Sequence, residues 1–411
     1  MFLTMRRWQR LFGLAVVAGL ALGPASAHLA APPASAGVRL GIDVLAERDF
    51  APLRGKRVGL ITNHTGRNGD GRRTIDVLAG APGVTLAAIF SPEHGLQGRS
   101  DDSVSDSTDS ATGIRVWSLY GGTRRPTSEM LRGLDALVFD IQDAGVRYYT
   151  YPTTMAYAME EAAKHGLEFV VLDRPNPLNG LAVDGPLLDA DKLSFVGYFP
   201  LPLRHGMTVG ELARLYNAEK HLWAKLTVVP MEKWRRRMWL DQTGVEWVNP
   251  SPNLRSLRAN VTYPGVELLR AGGVSVGRGT PTPFEHLGAP WIDARRLAEA
   301  LNARRMPGVR FVPVDFTPTE DVHPNRLCHG VRLELTQRNA LDTGRLGVEL
   351  ISALARLYPK DFAVEKTIQL LGSAKTLERI RAGDDPAAIV KSWKADLKAF
   401  RQRRQPYLLY R

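Results

Sequence analysis

One cysteine, Cys328, is all that the 411 residues contain. That excludes an intrachain disulfide framework and any multi-cysteine metal site. Cys328 itself reads as a small buried hydrophobe. His64 and His94 have carboxylates nearby, but no H-E-x-x-H or comparable ligand spacing occurs, so no metal is expected. Gly66, Gly69 and Gly71 lack the G-x-G-x-x-G spacing of a dinucleotide site, and no cofactor is expected. There is no zinc-finger or basic-zipper pattern, which argues against nucleic acid as a partner. The G-x-S-x-G elbow of many esterases is missing too. No internal repeat is present.

Long apolar runs are also scarce. The N-terminal one, LFGLAVVAGLAL (11–22), is too short to span a bilayer comfortably. It follows Arg6, Arg7 and Arg10 and precedes Pro24-Ala25-Ser26-Ala27, the pattern of a secretory signal peptide over residues 1–27. A second small-residue pattern, Ala34-Ser35-Ala36, lies in the low-complexity linker HLAAPPASAG (28–37). No cysteine follows the apolar run, so no stable membrane anchor is expected. The mature chain should be exported, to the periplasm or outside the cell. Losing residues 1–27 removes three arginines and no acid, which lowers the formal charge from +12 to +9. For an exported basic protein, an anionic envelope polymer is the natural partner.

A 44% hydrophobic content with 23% charged residues excludes disorder as the default. The length points to two domains. Aliphatic runs occur at Arg57–Ile61, Thr85–Phe90, Ala136–Ile141 and Glu168–Leu172. They lack in/out alternation, as strands buried on both faces do. A helix pattern, TTMAYAMEEAAKHG (153–166), separates the last two. The fold class expected is α/β, with a doubly wound, mostly parallel sheet over residues 38–250. The loop Asn249-Pro250-Ser251-Pro252-Asn253 reads as a junction to a smaller α/β domain over 251–411. Helices are expected near 293–305 and 343–358, strands near 309–314 and 331–336, and a basic amphipathic helix at the end. Glu211 stands in a T-x-x-E capping box and gets a structural reading.

Each of the four runs ends in polar residues: Asn63-His64, Glu93-His94, Asp140 through Asp143, and Asp173 through Asn176. In open α/β sheets the carboxyl ends of parallel strands line the ligand crevice. Glu93, beside Pro92 and next to apolar strand residues, suits a general acid. His94 is placed to share its proton, to orient it or to bind substrate hydroxyls. Asp140 or Asp143 offers the second carboxylate that glycoside hydrolysis usually needs, while the other caps a helix. Arg147, Arg174 and Arg278 can each pair bidentately with an anion.

Taken in order, these motifs resemble the exo-β-N-acetylmuramidase family. The resemblance rests on Asn63-His64-Thr65-Gly66, Ser91-Pro92-Glu93-His94-Gly95, Asp140-Ile141-Gln142-Asp143 with Gly145 to Tyr151, and Asp173 to Pro177. It continues through His205-Gly206-Met207-Thr208, Pro250 to Asn253, Ser275 to Thr280, Pro283-Phe284-Glu285 and the C-terminal Tyr407 to Tyr410. It implies a Rossmann-like N-terminal domain, a smaller α/β C-terminal domain and an active-site cleft between them. It implies release of N-acetylmuramic acid (MurNAc) from the non-reducing end of peptidoglycan fragments, with Glu93 at the position of the catalytic glutamate. The matched motifs make substrate-binding candidates of Asn63, Gln142, Arg147, Tyr148, Arg174, Asn176, Asp184, His205, Asn253, Arg278, Thr280 and Glu285. One departure stands out. Val183-Asp184-Gly185-Pro186 replaces the family's common Val-Glu-Gly-Pro, and aspartate is one methylene shorter. A lactyl carboxylate on muramic acid fits an arginine, and its 2-acetamido group permits substrate-assisted cleavage. The competing reading is a non-catalytic cell-wall sugar-binding protein.

Overall fold

The computed structural model describes residues 37–99 and 103–411. The signal peptide expected over 1–27 lies outside the described residues, as does the linker up to Gly37. In chain order the first strands are β1 (Arg57–Thr62), β2 (Thr85–Ser91), β3 (Ser107–Thr108), β4 (Arg115–Ser118) and β5 (Ala136–Asp140). They are followed by β6 (Glu168–Leu172), β7 (Asp184–Leu187), β8 (Pro202–Arg204) and β9 (Lys225–Val229). A seven-stranded sheet has the order β3-β4-β2-β1-β5-β6-β9, and only its β3–β4 pair is antiparallel. The chain winds outward from β1 to β4 on one side and from β5 to β9 on the other. This is a doubly wound sheet with its switch point between β1 and β5.

The central strands are apolar throughout because both faces of the sheet are covered. In β5, Ala136 and Val138 join one hydrophobic cluster, and Leu137 and Phe139 join the other. In β6, Val170 and Leu172 face the first cluster, and Phe169 and Val171 the second. The helix expected from Thr153 starts earlier, spanning Thr150–Lys164. Pro152 falls in its first turn, where a missing N–H costs nothing. Glu211 does complete the capping box with Thr208, and its carboxylate also pairs with buried Arg236 at 2.6 Å.

After residue 250 come β10 (His286–Ala289), β11 (Val309–Phe316) and β12 (Cys328–Leu335), an antiparallel sheet in the order β10-β12-β11. Helix Ala294–Asn302 packs on it, and helix Thr343–Leu357 packs against that helix. The core on one face of the large sheet runs without a break into Leu346, Leu350 and Phe400. The terminal basic segment forms two helices, Pro386–Ser392 and Lys394–Arg404, with buried Trp393 between them. The tail then returns to the large sheet, where the Tyr410 hydroxyl donates to Asp173 at 2.5 Å. No helix among the described residues is long and apolar enough to cross a membrane.

Candidate active site

β2 delivers Glu93 through a tight turn. The Gly95 amide donates to the Pro92 carbonyl at 3.0 Å, with His94 at φ +69° and Gly95 at φ +72°. A positive φ at the third position is what this turn requires. Histidine tolerates it better than a β-branched residue does. The turn lifts the Glu93 carboxylate toward the start of helix Thr150–Lys164, where the Thr150 hydroxyl donates to Glu93 Oε2. The helix therefore fixes the acid, and Oε1 receives no hydrogen bond from any described residue.

Glu93 and His94 line a cavity of about 280 Å³. Much of its wall is aromatic: Tyr148 and Tyr149 from the loop after β5, and Tyr263 and Phe284 from beyond residue 250. Tyr263 meets Tyr148 and Phe284 edge-on, with ring centroids 5.3 and 4.8 Å away. Burial pushes the Tyr149 and Tyr263 phenols well above their ordinary range, so both remain neutral donors. The Tyr149 hydroxyl lies beside Ser251 without a well-aligned hydrogen bond. Ser251 is placed indirectly by Asn63, whose Nδ2 donates to Tyr151 Oη at 3.0 Å. Tyr151 in turn donates to the Pro250 carbonyl at 2.5 Å.

The charged end of the cavity holds Glu267, Arg270 and Arg278. Glu267 is 4% exposed, and its Oε1 accepts from Arg278 Nη2 at 2.8 Å. Its Oε2 is buried with no hydrogen-bond partner among the described residues. Burial raises the Glu267 carboxyl above its ordinary range, against the pull of both arginines. Tyr263 feels the charge of both Glu267 and Glu93, which puts it within reach of the two carboxylates. Pro264 lies inside the helix Leu257–Val266, and Gly265 lets that helix approach helix Thr343–Leu357 closely. A Cβ on Gly265 would lie 2.8 Å from the Thr343 carbonyl.

Of the residues expected from the sequence, Glu93, His94, Tyr148 and Arg278 line this cavity. The others are tied up elsewhere, in ion pairs or on the backbone. Asp140 is wholly buried, paired with Arg174 at 2.5 and 2.9 Å and accepting from Thr74. Gln142 Nε2 donates to the carbonyls of Asp143 and Pro175, and Asn176 Nδ2 to that of Met207. Arg147 gives both Nη groups to four backbone carbonyls, those of Pro186, Leu201, Leu370 and Leu371. Asp184 accepts from Thr343 and Gly344 at a helix start, so its shorter side chain serves a helix cap and not the cavity. Asn253 donates to Glu320, Thr280 to the Gly277 carbonyl, and Ser256 to Glu285. Buried polar groups generally find partners, and here Asp140 and Arg174 find each other while Gln142 and Asn176 donate to the backbone. No cluster of metal-binding side chains occurs among the described residues.

Asp143 and His205 form a second buried pair away from the cavity. His205 Nδ1 accepts from the Met207 amide, which leaves the proton on Nε2, 4.0 Å from Asp143. Burial pushes Asp143 up to about 7 and His205 down to about 3. A carboxyl raised on folding stabilises the fold below its unfolded value, and that stability is lost as pH climbs through 7. By chemical denaturation, the loss from this group should be on the order of 2 kcal/mol between pH 5 and 8, offset below about pH 6.5 by His205, whose depressed value adds stability as its unfolded form gives up a proton. Asp143→Asn should flatten that slope.

Residues 58–258 match the family described as exo-beta-N-acetylmuramidase NamZ, N-terminal, and residues 261–410 match its C-terminal counterpart. The chain is similar to the peptidoglycan beta-N-acetylmuramidase NamZ of Bacillus subtilis (strain 168), 44% identical over 378 residues and covering 91% of each chain. It also resembles two solved DUF1343 family proteins of Bacteroides fragilis NCTC 9343. The first has a TM-score of 0.85 at 38% identity, covering 92% of this chain and 100% of that one. For the second the TM-score is 0.73 at 32% identity, covering 91% and 99%.

Proposed function

The chain belongs to the exo-β-N-acetylmuramidase NamZ family, and on that premise we propose that it releases MurNAc from the non-reducing end of peptidoglycan fragments by hydrolysing the β-1,4 linkage. The observation that carries this reading is Glu93, held by the Thr150 hydroxyl in a small cavity with an aromatic wall. At about 280 Å³ the cavity is at the lower edge of small-ligand clefts. One sugar ring with its substituents fills such a space, which supports cleavage from an end.

In this account Glu93 protonates the glycosidic oxygen as its bond to C1 breaks. The remaining fragment leaves with a new 4-hydroxyl. Water then adds to C1, either directly or after the 2-acetamido oxygen has closed on it, and gives a proton back to Glu93. Glu267, not Asp140 or Asp143, is the second carboxylate of the cavity. Held by Arg278, it stabilises the positive charge that grows at the anomeric centre. The signal-like N-terminus and the location of peptidoglycan support an exported enzyme, acting in the periplasm or outside the cell.

Incubation with MurNAc-β-1,4-GlcNAc, and with a longer glycan ending in MurNAc, tests the reading. Free MurNAc should appear from both, one residue at a time from the longer chain. Substrate that binds yet survives at every pH would mark a non-catalytic wall-sugar binder instead.

A further inference from the structure

The cavity holds one arginine built to receive an anion. Arg147 spends its Nη groups on carbonyls, and Arg174 is committed to Asp140. Arg278 differs from both. It stands between Gly277 at φ +79° and Gly279 at φ +76°. A Cβ on Gly279 would lie 2.6 Å from the Glu320 amide nitrogen, so the loop folds this tightly only with glycine. The Arg278 side chain is 19% exposed and lies against the Phe284 ring at 5.5 Å. Its Nη2 donates to Glu267, but its buried Nε has no hydrogen bond, and the nearest carboxylate, Asp321, is 3.7 Å away. Nη1 bonds to no described residue. Arg270, the other arginine of the cavity, is 42% exposed and has its Nε on Asp321 at 2.9 Å.

Buried donors without acceptors are uncommon in folded proteins. A guanidinium held in place on a cavity wall, with Nη1 uncommitted to any described residue, is a place for a ligand's carboxylate. MurNAc differs from N-acetylglucosamine by a lactyl ether that ends in a carboxylate. Resting on the muramidase reading above, we propose that Arg278 recognises this lactyl carboxylate through Nη1, with Glu267 as the positioning residue that holds the guanidinium plane through Nη2. Glu267 and Asp321 already balance the charge of Arg270 and Arg278. The incoming carboxylate therefore gains oriented donors, not unbalanced positive charge.

Calorimetric binding of MurNAc and of its methyl ester to the intact protein tests this. The wild type should bind the acid roughly 10- to 100-fold more tightly than the ester. Arg278→Gln should bind both alike, with ester affinity near that of the wild type. Arg278→Lys keeps the charge but loses the planar group that Glu267 fixes, and should lose much of the discrimination. Equal binding of acid and ester by the wild type overturns the proposal without any variant. So does discrimination that survives both substitutions, or a loss of ester binding as large as the loss of acid binding. Cleavage of the disaccharide is scored separately. A wild type that cleaves it but does not separate acid from ester keeps the muramidase reading and loses this one.

Discussion

Glu93→Gln lowers kcat on MurNAc-β-1,4-GlcNAc by roughly 10²–10⁴-fold, with little change in KM or melting temperature. Glutamine has the same shape, and its carbonyl oxygen still accepts from Thr150, so the turn and the cavity persist. What it lacks is a proton to give. A sugar hydroxyl is a poor leaving group unless it is protonated as it departs, so the loss falls on the chemical step. Steady-state rates and a thermal melt on the same sample check both halves. Turnover within threefold of wild type would remove Glu93 from the mechanism.

Asp140→Ala has the other large effect, and it falls on stability. The substitution strands the Arg174 guanidinium, 3% exposed at the side chain, without its carboxylate. Breaking a buried pair from one side costs roughly 3–5 kcal/mol. Thr74 also loses the acceptor that ties its helix to the end of β5. A denaturation curve should therefore shift far to lower denaturant, while the molecules still folded retain their turnover. If Asp140 were the second catalytic acid, the pattern would reverse: turnover would collapse and the midpoint would hold.

The contrast between Glu93 and Asp140 shows what the sequence could and could not give. Both are acids at the ends of apolar runs, and sequence pattern assigns them to strand ends correctly. β1, β2, β5 and β6 lie within a residue of the runs that foretell them. Pattern does not say whether an acid at a strand end faces a cavity or a neighbouring strand end. That depends on which donors lie across the sheet, and Arg174 and Thr74 lie across from Asp140. Glu267 escaped notice for a related reason. YPGVELLR (263–270) reads as an ordinary interrupted helix, and its acid becomes distinctive only once it is buried between two arginines on the cavity wall. Strand β4 is only four residues long, and β9 at the sheet edge is partly exposed, so neither carries the signal of a doubly covered strand.

The most direct test of the account compares two leaving groups. Glu93→Gln should be assayed on the disaccharide and on an aryl MurNAc glycoside whose phenol departs without a proton. If Glu93 is the proton donor, the deficit on the aryl glycoside should shrink to roughly tenfold or less, against roughly 10²–10⁴-fold on the disaccharide. Equal deficits on both substrates would contradict the account, because Glu93 would then be doing something other than protonating the departing oxygen.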